Sequence, residues 1–88
     1  MTTQIFEQVK HILVERFAIK PVNVRPSVDL QKELGLDSMD AIDLLSAVNE
    51  AFEIRVPVEL LDKIHTVSEL VETIEKFGNA GGSRRAEY

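Results

Sequence analysis

Residues 33–40, Glu33-Leu34-Gly35-Leu36-Asp37-Ser38-Met39-Asp40, separate an aperiodic stretch from a strongly periodic one. Gly35 permits a sharp turn. Asp37 and Ser38 then stand where a helix opens, and both are residue types that cap helix N-termini. Beyond them Ala41, Leu44, Leu45, Val48 and Phe52 gather on one side of a helical wheel, with Ile42 at its edge. Asp40, Asp43, Ser46 and Glu50 gather on the other, and Met39 falls among them as an apolar side chain on a polar face. The spacing predicts a helix over 38–53 with one buried stripe. A hydroxyl at an exposed helix start also sits where free backbone N–H groups and the positive dipole end favour a phosphate. Ser38 therefore has two readings, a cap or the attachment point of a phosphodiester.

On the N-terminal side, Ile5, Val9, Ile12, Leu13 and Phe17 recur at helical spacing and predict a first helix over 3–17, with Thr2 or Thr3 as N-cap. Residues 18–37 hold Pro21, Pro26 and Gly35 and no sustained period. A loop of that length is uncommon unless it is functional or internally packed. Val22, Val24, Val28, Leu30 and Leu34 are expected to pin it to the core, and residues 30–34 to form one helical turn.

On the C-terminal side, Ile54 to Val58 alternate like a strand, but Pro57 argues against that. A short helix within 56–64 is expected instead, with Pro57 near its start and Leu60, Leu61 and Ile64 turned inward. Thr66-Val67-Ser68-Glu69 is a capping box, followed by Leu70, Val71, Ile74 and Phe77 at core spacing. Glu72 and Lys76 are spaced to pair on the outer face. Gly78 is expected to end the helix, leaving 78–88 as a flexible tail. The sum is an all-α bundle in one domain, 1–77, with a long ordered loop between its first two helices.

The chain has 88 residues, 44% hydrophobic and 28% charged, which suits a single small globular domain. It has no cysteine, hence no disulfide framework and no thiolate nucleophile. The first residues lack the basic and apolar regions of a signal peptide, and no apolar run approaches a membrane span, so a cytoplasmic location is expected. The formal net charge of -5 argues against nucleic acid as partner. That charge is concentrated: over 26–53, Asp29, Glu33, Asp37, Asp40, Asp43, Glu50 and Glu53 face Lys32 alone. Over 1–25, Lys10, Arg16, Lys20 and Arg25 outnumber Glu7 and Glu15. An acidic run can be no more than a solvated face, or it can dock basic partners.

Motifs for catalysis are missing. There is no phosphate-cradling glycine loop, no HExxH and no paired-carboxylate motif. His11 and His65 lie far from Ser38 in sequence, and His11 is expected on the surface. A bundle this small has little interior left to support a preorganised triad, so the chain is not expected to be an enzyme.

Leu34-Gly35-Leu36-Asp37-Ser38-Met39-Asp40 resembles the attachment motif of the acyl carrier proteins: a Gly, one residue, Asp-Ser, then Leu or Met. The resemblance extends over about 5–77 and includes the long first loop, the acidic helix, the Phe52…Ile54…Val56-Pro57 passage and the Ile64-His65-Thr66-Val67 entry to the last helix. It implies a four-helix bundle of acyl-carrier type with a short third helix. It also implies a 4'-phosphopantetheine arm on Ser38, delivered from coenzyme A by a phosphopantetheinyl transferase, with Asp37 beside it. The arm's thiol would hold acyl intermediates as thioesters.

By the same resemblance, partners with basic docking patches, acyl-transferring or acyl-modifying enzymes, would read Met39, Asp40, Asp43 and Glu50 on a monomeric carrier. An acyl chain would enter between helices, at Ile42, Leu45, Val48, Leu61, Ile64 and Val71, through an expandable core with little preformed cavity. Two departures point toward a specialised pathway. Asn49 and Ala51 flank Glu50 where a denser acidic run is usual, and the third helix is unusually apolar at Val58, Leu60 and Leu61. The cargo is thus expected to belong to fatty-acid, modified-lipid or polyketide-type biosynthesis, or alternatively to be aminoacyl or peptidyl. From a different class, an acidic helical adaptor would use the same face, with Ser38 only a cap.

Overall fold

Three α-helices are built where the apolar periods lie: α1, Thr2–Phe17, α2, Ser38–Phe52, and α3, Val67–Arg85. A short 3-10 turn, Pro21–Asn23, and a 3-10 helix, Val58–Lys63, complete the all-helical chain. The computed structural model describes the backbone of residues 2–85 and the side chains of residues 4–78. The caps expected at Thr2 or Thr3 lie outside the described side chains. Val9, Ile12 and Leu13 of α1, Leu44, Leu45, Ala47 and Val48 of α2, and Val67, Leu70, Val71 and Ile74 of α3 form one buried core. α1 packs most extensively on α3, and the 3-10 helix lies against α2.

The long loop is ordered by backbone bonding. Leu30 N donates to His65 O at 2.8 Å, Val67 N to Val28 O at 3.2 Å, and Ser68 N to Pro26 O at 2.8 Å. These bonds stitch residues 26–30 onto the entry of α3. Residues 29–34 make the expected turn, with the amides of Glu33 and Leu34 bonding Asp29 O. Asp29 Oδ1 caps it, accepting from Gln31 N at 2.9 Å and Lys32 N at 2.7 Å, while Glu33 Oε1 accepts from Asp29 N at 2.7 Å. Val24, Val28, Leu30 and Leu36 are buried and Leu34 half-buried. Val22 is a correction: it is 75% exposed, because the tight Pro21–Asn23 turn directs no side chain inward and Val24 takes the buried position.

Two further expectations are corrected. Helix α3 does not stop at Gly78 but continues to Arg85. A glycine ends a helix by taking a positive φ, and among the described residues the positive-φ glycine is Gly35. Glu72 and Lys76 remain solvated, and the ion pair formed among the described residues is Arg16–Asp43 instead. The short helix expected within 56–64 is present as a 3-10 helix, Val58–Lys63, with Pro57 before its first residue, Leu60 and Leu61 packed against the core and Ile64 buried. Its approach keeps the strand-like alternation, Ile54 and Val56 buried, Arg55 and Pro57 exposed, without forming a strand. The edge partner is a side chain: Asn49 Oδ1 accepts from Val56 N at 3.0 Å and Asn49 Nδ2 donates to Val56 O at 3.2 Å.

Candidate functional site

The turn at Gly35 sets the geometry of the α2 start. Its φ of 74° lies in the left-handed region, and Gly35 N and Leu36 N close on Gln31 O and Leu30 O at 3.1 and 3.0 Å. Leu36 is thereby driven into the core and Asp37 is placed, with extended backbone, at the N-cap. Asp37 Oδ1 accepts from Asp40 N at 2.9 Å, and Asp37 O accepts from Ala41 N at 2.8 Å. Of the two capping candidates, Asp37 holds the position. Ser38 is the first helical residue, exposed to solvent, with its hydroxyl outside the cap.

Beside Ser38 opens a groove of about 390 Å³. One wall is α2, from Ser38 through Ala41 and Ile42 to Leu45, and the other is Val58, Leu61, Asp62 and Ile64. Leu30, Gln31 and Leu36 close one end, and His65 joins the lining. The groove is open to solvent and adjoins the hydroxyl, outside the tightly buried interior at Val48 and Val71. Of the chain-contacting residues expected, Ile42, Leu45, Leu61 and Ile64 line it. Val48 and Val71 are buried in the core and do not. At 1.5 Å per residue, Val48 lies about 15 Å along α2 from Ser38.

Met39 is 75% exposed, and Ile42 and Val58 are the other large apolar side chains exposed near it in the chain's α2 and 3-10 segments. Asp40 is half-buried, and Asp43 and Glu50 are exposed. Asp43 has a partner that sequence reasoning missed: Arg16 Nη2 lies 3.4 Å from Asp43 Oδ1, both side chains being about half exposed. Such a pair contributes roughly 0–1 kcal/mol. His11 is on the surface, as expected. His65, far from Ser38 in sequence, is the histidine that folding brings close, since the stitched loop carries it to the groove that Ser38 lines. No group of three metal-ligating side chains occurs among the described residues, and none of their helices is long and apolar enough to cross a membrane.

Two carboxyls flanking the site are held below their ordinary range. The amides of Lys32 and Gln31 lower Asp29, and the amides of His65 and Thr66 lower Glu69. Both charges stabilise backbone donors at the junction of loop and α3.

Residues 7–74 match the family model described as the phosphopantetheine attachment site. Among solved structures, the chain is similar to the acyl carrier protein of Thermotoga maritima, with 28% sequence identity and a TM-score of 0.77. That match covers 86% of this chain and 88% of the other.

Proposed function

The chain belongs to the acyl carrier proteins, the family of the phosphopantetheine attachment site, and from that premise we propose that Ser38 bears the arm. Members of this family are carriers and not enzymes. When bound, the 4'-phosphopantetheine group supplies a thiol that holds acyl groups as thioesters. What supports Ser38 is the division of labour at the α2 start: Asp37 satisfies the helix end, so the neighbouring hydroxyl is free for substitution. A phosphodiester there meets the positive end of α2. Ser27 and Ser46 lie at no helix start, and Ser68, in the first turn of α3, is half-buried and away from the groove. The adaptor reading leaves Ser38 only a cap, whereas the capping bond is carried by Asp37.

The groove between α2 and the 3-10 helix takes the proximal part of an acyl chain along Ile42, Leu45, Leu61 and Ile64. Burying each CH₂ is worth about 0.8 kcal/mol. A longer chain reaches Val48 and Val71 only by parting the helices. Docking partners, the phosphopantetheinyl transferase and enzymes that transfer or modify the acyl group, approach through Met39, Asp40, Asp43 and Glu50 with basic patches. The carrier works as a cytoplasmic monomer in fatty-acid, lipid or polyketide-type biosynthesis. A specialised pathway is favoured, because position 49 is committed to Val56 and is not part of an acidic run. Incubation with coenzyme A, Mg²⁺ and a broad-specificity transferase tests carrier against adaptor. A mass gain of one phosphopantetheinyl group is expected, and an unchanged mass contradicts the proposal.

A further inference from the structure

Resting on the reading of the groove as the entrance for an acyl chain, we propose that the Asn49 side chain is a latch that limits the length of chain admitted. The wall opposite α2 is weakly held by packing. Val58–Lys63 is a six-residue 3-10 helix in which no side chain is fully buried, and Leu60 and Leu61 only lean on the core. Runs of 3-10 helix longer than three or four residues are uncommon and their hydrogen bonds are poorly aligned. The wall is therefore fixed mainly at its ends. At its C-terminal end, Ile64 is buried and His65 O accepts from Leu30 N at 2.8 Å. At its N-terminal end, Val56 is buried as well, and the Asn49 amide makes both hydrogen bonds to the Val56 backbone, 3.0 and 3.2 Å.

A side-chain amide accepts from an N–H through its oxygen and donates to a C=O through its nitrogen at once. Aspartate at position 49 keeps the acceptor but sets a carboxylate against the Val56 carbonyl, and alanine removes both bonds. With these bonds gone, the N-terminal end is held by the packing of Ile54 and Val56 alone, so Val58 and Leu61 swing from α2 more readily and the groove lengthens. Asn49 does not line the groove, so its role is that of a positioning residue acting through Val56.

The test loads wild type, Asn49→Ala and Asn49→Asp from butyryl-, hexanoyl-, octanoyl-, decanoyl- and dodecanoyl-coenzyme A, then times thioester cleavage by hydroxylamine. In wild type, cleavage slows with chain length and levels off once the groove is filled. In Asn49→Ala the slowing continues to a longer chain, and the longest chain is cleaved about threefold more slowly than in wild type. Asn49→Asp falls between, and carries the test if the alanine variant does not fold. Ile12→Val in α1, which loosens the core without touching the groove, keeps the wild-type profile. Identical levelling points in wild type and both variants overturn the latch, as does an equal shift in Ile12→Val. A wild type whose cleavage ignores chain length contradicts the groove reading itself, and failure of loading contradicts the attachment reading.

Discussion

Thr66 and Glu69 satisfy each other's backbone. Glu69 N donates to Thr66 Oγ1 at 3.1 Å, and Thr66 N donates to Glu69 Oε1 at 3.1 Å, an oxygen that also accepts from His65 N at 2.7 Å. In the stitched loop Glu33 Oε1 likewise accepts from Asp29 N, while Asp29 Oδ1 accepts from Gln31 N and Lys32 N. The junction carrying one end of the groove thus depends on ionised carboxylates.

Stability should fall in acid for that reason. The folded pKa values of Asp29 and Glu69 lie below the ordinary 3.8 and 4.5. Their stabilisation is complete above those values and is lost as pH falls through the lowered ones. Thermal melts from roughly pH 6 to pH 2 should fall in wild type and fall less in Glu69→Gln, which keeps an acceptor without the charge. Parallel curves would contradict the assignment.

Asp37 and Ser38 should separate in denaturant unfolding. Asp37→Ala removes the cap and should cost about 1 kcal/mol. Ser38→Ala should leave the urea midpoint nearly unchanged. Equal losses would mean that Ser38 shares the cap.

Three left-handed positions should respond with opposite signs. Ala18 and Glu53 have φ of 57° and 56° at the ends of α1 and α2, a region that costs a side chain roughly 1 kcal/mol. Ala18→Gly and Glu53→Gly should each raise the melting temperature. Gly35→Ala, imposing that strain on the turn that places Asp37, should lower it. A stabilising Gly35→Ala is the contrary result.

Charge reversal on α2 should slow arm transfer mainly through association. Asp40→Lys and Glu50→Lys are expected to reduce the transferase rate at low salt, with the difference shrinking as salt rises. Arg16→Ala, by freeing Asp43, should speed it by up to about twofold. A slower transfer in Arg16→Ala would show that the Arg16–Asp43 pair orders the docking face.

The three apolar periods and the Thr66 capping box were legible because helix formation and capping are local. The Gly35-to-Ser38 turn was legible because its chemistry is carried by adjacent residues, although either Asp37 or Ser38 could have held the cap. Pairings across the fold were not legible. Arg16 meets Asp43 across two helices, and His65 reaches the groove only after the loop is stitched to α3. Asn49 read as a missing acid on α2, whereas its amide substitutes for a strand edge at Val56. Gly78 misled because glycine marks a helix end only when the backbone takes the left-handed turn, and here α3 runs on.

The most direct measurement locates the arm. Trypsin cuts after Lys32 and Arg55, so one peptide, 33–55, holds both Ser38 and Ser46. After transferase treatment, the phosphopantetheinyl mass should appear on that peptide in wild type and Ser46→Ala, and vanish from intact protein in Ser38→Ala. Modification that persists in Ser38→Ala would contradict the account.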